Sequence, residues 1–271
     1  MSLMNEVLEE IADNDKSTLS GGKIIDQRLK QIRKDHLIDA QQSLVTTLKE
    51  FFKKNTKVYE AIIYLVSPIC PNKKPLRDYI KKHRNKRVIN IGAGNTRIYH
   101  DVINLDIFNY DNVDIVTDAK DMCLKDNSVD GIISIANLEH IDDPEKTIKE
   151  IHRVLKQGGE CFLSVPFIYG FHASPNDFTR WTHEGIKVVL TRSGFDIVRV
   201  GIATGPTSAI LTIGIEYLSI LLSFGIKKLY EIWQILFTLV LWPFKFLDLI
   251  LIKIPFAINI ASNIYIIARK K

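Results

Sequence analysis

Residues 88–95 read VINIGAGN, an apolar run that enters a turn with glycine at positions 92 and 94. A second apolar run, VINLDI at 102–107, follows a short polar loop and carries Asp106 near its end. A buried strand that ends in Gly-x-Gly brings backbone N–H groups close to a ligand, because glycine has no Cβ to hold the ligand away. An acidic side chain at the tip of the next strand is placed to receive ribose hydroxyls. The stretch therefore begins a site for a nucleotide-like cofactor. Only twelve positions separate Gly94 from Asp106. That is too few for a full crossover helix plus a strand, so the first helix is expected to be absent or reduced to about one turn. A dinucleotide dehydrogenase needs that helix for the pyrophosphate and a third glycine for close packing. Arg97 stands at the third-glycine position, which argues against an NAD-dependent oxidoreductase.

Downstream the pattern alternates. Residues 113–117 predict a third strand ending in Asp118-Ala119, and 129–135 (VDGIISI) is the continuous apolar run of a strand buried on both faces. Asp142-Asp143-Pro144 predicts a helix start, with a carboxylate cap and proline at the first helical position. That helix carries Ile148, Ile151, Val154 and Leu155 on one face and is expected to stop at Gly158-Gly159. Residues 161–165 predict the next strand, Thr182 opens a helix that stops at Gly194, and 195–201 predict a further strand. Such alternation implies an α/β fold with a doubly wound, mostly parallel sheet.

Upstream, residues 1–22 are polar and expected to be poorly ordered. Over 23–54, Ile24, Ile25, Leu29 and Ile32, then Leu37, Leu44, Leu48, Phe51 and Phe52, recur at helical spacing and predict two amphipathic helices. A shorter apolar run spans 59–66. Residues 1–82 thus read as a helical extension that packs on the core or on a partner and carries no chemistry.

The net charge of +5 comes without a long basic tract, so no nucleic-acid partner is expected. Hydrophobic residues make up 46% of the chain but concentrate between 204 and 268, which fits a membrane surface better. Cys70, Cys123 and Cys161 lack CxxC spacing and read as free thiols of a reducing compartment. The acidic first residues, Glu6, Glu9, Glu10 and Asp13, show no secretion-signal pattern. The expected location is cytoplasmic, peripheral or monotopic on the membrane's cytoplasmic face.

Residues 206–261 form an apolar insertion far longer than an ordinary connection. Glu216, Lys227, Lys228, Glu231, Lys245, Asp248 and Lys253 interrupt it, leaving 232–244 as the longest uncharged helical stretch. That stretch is too short for a bilayer core of roughly 30 Å. The expectation is helices lying in the membrane interface, with Trp233 and Trp242 at headgroup level. An internal lid or a dimer interface is the rival.

The ordered series NIGAG (90–94), INLD (103–106), DA (118–119), LEHIDDP (138–144), EIHRVLKQGG (150–159) and VPF (165–167) continues with His172, Pro175, Asp177, Phe178, Arg180 and Thr182. In this the chain resembles class I S-adenosylmethionine-dependent methyltransferases, in particular a type 11-like subgroup with an H-x-x-P-x-D-F/Y-x-R-x-T segment. The resemblance covers about residues 88–195. It implies a Rossmann-like sheet whose last strand is antiparallel, and 263–268 (NIYIIA) suits that strand. It divides the chain into the extension at 1–82, the methyltransferase domain at 83–205 plus 262–271, and the insertion at 206–261.

The same resemblance implies S-adenosylmethionine as cofactor. Gly92 and Gly94 would pass beneath its methionine moiety, Asp106 would bind the ribose, and Asp118 with the Ala119 backbone would hold the adenine. Asn137 would line the transfer site, and Asn90, where many members carry Asp or Glu, would reach the amino group. Glu139, His140, His172 and Asp177 are the candidate catalytic groups, and His172, Asp177 and Arg180 the candidate acceptor contacts. For Glu139 and His140 a loop-ordering role competes with catalysis, and an Asp177–Arg180 pair competes with acceptor binding. His83, His100, His152 and His183 show no ligand spacing, so no metal is expected. The acceptor is expected to be a small molecule, a glycan or a lipid-linked substrate. A non-catalytic binding or scaffolding protein at the membrane is the alternative.

Overall fold

The structure is a computed structural model and describes residues 3–29 and 65–271. The elements in chain order are α1 (Leu3–Ile11), β1 (Ser17–Ser20), β2 (Lys23–Asp26), α2 (Lys74–Lys82), β3 (Val88–Ile91), β4 (Ile103–Asp106), β5 (Ile115–Val116), β6 (Val129–Ile135), α3 (Pro144–Val154), β7 (Leu155–Pro166), α4 (His183–Arg192), β8 (Phe195–Thr204), α5 (Pro206–Ser223), α6 (Lys227–Leu241) and β9 (Asn263–Lys270). The strands form one sheet in the order β1-β2-β5-β4-β3-β6-β7-β9-β8. The five strands β5, β4, β3, β6 and β7 run parallel, and β9 is antiparallel to both β7 and β8. This is the doubly wound, Rossmann-like sheet with an antiparallel last strand that the sequence predicts.

Several predicted ends recur as physical contacts. Residues 129–135 are β6, and the Asp143 carboxylate accepts the Lys146 N–H at 3.0 Å as cap of α3. Thr182 caps α4 by accepting the Gly185 N–H at 3.0 Å. The helix stop differs: α3 ends at Val154, because Leu155 already pairs with Val129, and Gly158, at φ +74°, lies inside β7. No helix intervenes between β3 and β4, as the short connection requires.

The N-terminal expectation needs correction. Residues 1–22 are not unstructured where described: Leu8 and Ile11 of α1 are fully buried in the main core. Residues 23–26 are a strand rather than the start of a helix. Gly21 and Gly22, at φ +59° and +76°, turn β1 into β2, and β2 then pairs in parallel with β5. Glycines at both turn positions are a hairpin signal that competes with a few apolar residues at helical spacing. Buried Asp26 is held by Arg28 and by the Thr117 hydroxyl, which donates at 2.8 Å. The second predicted helix, around 37–52, and most of the 59–66 run lie outside the described residues.

Between β8 and β9 the insertion folds as α5, α6 and short turns of helix. The charges do not set the helix ends: α5 has 18 residues, about 27 Å at 1.5 Å each, and runs through Glu216, its sole charge. Both α5 and the 227–251 segment are long and apolar enough to cross a membrane by length and composition. Asp248 ties the insertion down. Its carboxylate accepts the Thr207 and Ser208 N–H groups at 2.8 and 2.9 Å and the Ser208 hydroxyl at 2.7 Å, filling the free donors at the start of α5.

Candidate active site

The parallel strands end on one side of the sheet, and a cleft of about 360 Å³ opens there. It is lined by the β3 turn (Gly92, Gly94), the β4 end (Asp106, Ile107, Phe108), Asp118 to Lys120, the β6 end (Ala136, Asn137, His140) and residues 174–176 with Phe178. Gly92, Gly94, Asp106, Asp118, Ala119 and Asn137, all cofactor candidates, are brought together in this wall. Asn90 is not. It is buried in β3, and its side-chain amide donates to Asn104 at 3.3 Å instead of facing the cleft.

Local chemistry builds the glycine turn. Gly92 has φ +70°, and a Cβ there would lie 2.2 Å from the Asn137 Oδ1. Gly94 has φ +58° and open space where its Cβ would be. The Asp106 carboxylate accepts the Gly94 N–H at 2.8 Å and the Phe108 N–H at 2.9 Å, so it fixes the turn and keeps lone pairs toward the cleft. Arg97 holds the helix-free loop. Its guanidinium donates to the Val102 and Asn112 carbonyls and to both oxygens of Asp114 at 2.8 and 2.9 Å. Packing that a third glycine would permit is thus replaced by an ion pair. Lys120 donates to Asp142 at 2.7 Å across the rim.

A second constellation adjoins the cleft. Glu139 is fully buried, with neither carboxylate oxygen hydrogen-bonded among the described residues, and burial pushes its pKa up to about 7. His140 Nδ1 faces the Asn176 carbonyl at 2.5 Å, and His172 Nδ1 faces that of Gly170 at 3.0 Å. The Nε2 atoms of His140 and His172 lie 3.9 and 3.7 Å from Glu139 Oε1. Burial lowers the pKa of His140. The fold thus brings together three of the four candidate catalytic groups, Glu139, His140 and His172.

Asp177 and Arg180 have a different task. The Arg180 guanidinium makes a two-pronged bond to the Asp177 carboxylate at 2.5 and 2.6 Å. It also donates to the Tyr169 and Gly170 carbonyls at 3.0 and 2.7 Å. Asp177 accepts the His172 N–H at 2.8 Å, and Arg180 holds its carboxyl well below the usual range. The pair staples the loop after β7, and neither side chain lines the cleft. The residues of this loop that do are Ser174, Pro175, Asn176 and Phe178, neighbours of the predicted ones. Phe108, two residues past Asp106, and Lys120, next to Ala119, also line the cleft, and no motif position marks either.

The residues fit S-adenosylmethionine on this structure's own terms. The Asn137 side-chain N–H₂ is buried at the wall without a hydrogen-bond partner among the described residues, the turn leaves open space beside Gly94, and Asp106 presents an acceptor. Residues 92–163 match the family model described as a methyltransferase domain. A search of curated proteins returned no match. Similar solved structures include a phosphoethanolamine N-methyltransferase 2 from Haemonchus contortus in complex with S-adenosyl-L-methionine, at 18% identity and TM-score 0.45 over 73% of this chain and 52% of that one. A methyltransferase from Thermotoga maritima aligns at 15% identity and TM-score 0.47, over 82% of this chain and 99% of that one. One from Mesorhizobium loti aligns at 16% and 0.42, over 73% and 96%. The cleft belongs to an S-adenosylmethionine-dependent methyltransferase domain.

Proposed function

We propose that the protein methylates a glycan or lipid-linked acceptor at a membrane surface. The observation that carries this is where the apolar insertion sits. β8 is parallel to β7, since both are antiparallel to β9, so Thr204 ends β8 on the cleft side of the sheet. Thr204 and Pro166 both pair with Asn263, and the insertion rises from that end. α6 buries none of its residues, and Ile232, Leu236, Leu239 and Val240 are all exposed. Across the insertion, Ile210, Tyr217, Phe224, Ile250 and Phe256 are each more than 60% exposed. Apolar surface on this scale marks a membrane or protein contact. α5 is partly buried against the protein and β9 must return to the sheet, which supports insertion into one leaflet over a full crossing.

The cofactor supplies a sulfonium methyl that is already electrophilic. The chain's part is to hold the acceptor in line and to accept its proton where it has one. Gly92, Gly94, Asp106, Asp118, Ala119 and Asn137 would hold the cofactor. Acceptor activation falls to the Glu139, His140 and His172 group, of which His140 reaches the cleft wall. Asp177, stapled to Arg180, is withdrawn from that role and shapes the loop. The test is flotation of the full chain with vesicles containing about 30% anionic lipid, followed by transfer of labelled methyl to lipid-linked and soluble extracts. Flotation with label in the lipid-linked fraction is expected. A chain that stays with the soluble fraction and labels only soluble compounds would overturn the membrane assignment.

A further inference from the structure

Three acceptor atoms meet beside the cleft, and among the described residues no donor hydrogen-bonds to the Glu139 carboxylate. Each histidine's Nδ1 is within hydrogen-bond reach of a backbone carbonyl; at His172 the Gly170 carbonyl at 3.0 Å is nearer than the Arg180 guanidinium at 3.4 Å, which assigns the proton to Nδ1 and leaves both Nε2 lone pairs free. Both lone pairs face the Glu139 carboxylate, and the three ligand atoms all lie within 4.8 Å of one another. At 3.7 and 3.9 Å the His–Glu separations are too long for a proton to be shared in a hydrogen bond. A buried carboxylate without a donor is unfavourable until a proton or a cation compensates it. Arg180 spends its donors on Asp177 and three backbone carbonyls, with its Nη2 also 3.4 Å from His172 Nδ1.

We propose that Glu139, His140 and His172 hold a divalent transition-metal ion, zinc being the ion their donors suit, at the wall of the cleft. Two imidazoles and one carboxylate are a common three-ligand set that leaves a coordination position open. Zinc–ligand bonds of about 2.1 Å in tetrahedral geometry place ligand atoms about 3.4 Å apart. The two His–Glu separations, 3.9 and 3.7 Å, close to that value by a shift of about 0.3–0.5 Å, and the two imidazole nitrogens lie within 4.8 Å of each other. The Asn176 and Gly170 carbonyls supply the outer contacts that metal-bound histidines use to fix their tautomer. The Asp177–Arg180 staple then acquires a purpose: it sets the loop that brings His172 back to Glu139. His140 also lines the cleft, so the open position is reached from the side where the acceptor binds. This deepens the proposed function by naming an oxygen-bearing acceptor group as the ligand of that position.

The test uses the full chain freed of metal by chelation and titrated calorimetrically with Zn²⁺, with S-adenosylhomocysteine titrated in parallel. Binding of one equivalent is expected, weakened at least tenfold in both Glu139→Gln and His172→Ala and unchanged in His100→Ala, whose side chain is fully exposed. Co²⁺ in place of Zn²⁺ is expected to give visible absorption that shifts on adding acceptor. Thermal melts check that each variant is folded, and retained S-adenosylhomocysteine binding in His172→Ala is expected to show that the loss is confined to the metal site. Absence of stoichiometric Zn²⁺ binding, or wild-type binding by both cluster variants, would overturn the metal site. In that case S-adenosylhomocysteine binding would still stand for the methyltransferase. Metal binding without S-adenosylhomocysteine binding would support the site and count against the cofactor cleft.

Discussion

A single methyl group at position 92 tests how the cofactor turn is built. Gly92 sits at φ +70°, where an L side chain costs about 1–2 kcal/mol. In Gly92→Ala the new Cβ would also lie 2.2 Å from Oδ1, 2.3 Å from Cγ and 2.9 Å from Cβ of Asn137. Those contacts are far inside van der Waals distance, and the Cβ contact persists whichever way the Asn137 side chain rotates. Either Asn137 or the turn must move. Gly94→Ala is the control, with φ +58° and nothing within 4 Å of the added Cβ. Both variants carry the strain, and only the first carries the collision. The collision is worth about 1–2 kcal/mol more, in the range of overpacking a filled site. At about 2–4 °C per kcal/mol for a protein of this size, the cofactor-free Gly92→Ala protein should melt about 2–8 °C below Gly94→Ala. Differential scanning calorimetry without ligand reads this directly. Adding Asn137→Ala should recover part of the loss in the Gly92→Ala background and none in the Gly94→Ala background. Equal melting temperatures for the two alanine variants, or no recovery, would refute the account of Gly92 and Asn137 as a packed pair.

Two further perturbations follow from the contacts. Asp248→Ala removes three buried hydrogen bonds at the start of α5 and should destabilise the protein by about 2–4 kcal/mol, with faster amide exchange at Thr207 and Ser208 as the local signature. Glu160 is buried. Its burial alone would raise its pKa, but hydrogen bonds from Lys82 and Arg269 outweigh that and hold it below 4.5. A depressed folded-state pKa gives stability that is present above the unfolded value and lost as pH falls through the folded one. Denaturant unfolding between pH 6 and 3 should therefore show a loss of stability below about pH 4.5 that is smaller in Glu160→Gln.

What the sequence revealed depended on how local the deciding interaction is. The strand at 129–135, the Asp143 and Thr182 caps and the missing first helix all follow from neighbours within a few residues, and each is in the structure. Residues 23–26 were misread because Ile24 and Ile25 satisfy a helical spacing as well as a strand. Their partner, β5, lies about ninety residues away. Asn90 was assigned to the cofactor by motif position, whereas its orientation is set by Asn104 on the neighbouring strand. The Glu139–His172 approach was invisible for the same reason. It requires β7 to leave the sheet and a stapled loop to return, and no short-range pattern records that. Charges interrupt the apolar runs of the insertion in sequence, yet Glu216 is accommodated within α5, where the Tyr230 hydroxyl donates to it at 2.6 Å and Gln234 at 2.7 Å.

The insertion enters and leaves the sheet at paired residues. Thr204 and Pro166 flank Asn263 in adjacent ladders, and the Ser262 N–H donates to the Thr204 carbonyl at 3.0 Å. An appendage joined by one flexible strand behaves as a tether and swings freely. This one stands on two neighbouring feet, both clamped by backbone hydrogen bonds, and behaves as a mast. Torque applied to its apolar tip is transmitted into the β7–β9–β8 edge as shear along the strands. A surface that gripped the mast would therefore also set the compass bearing of the cleft.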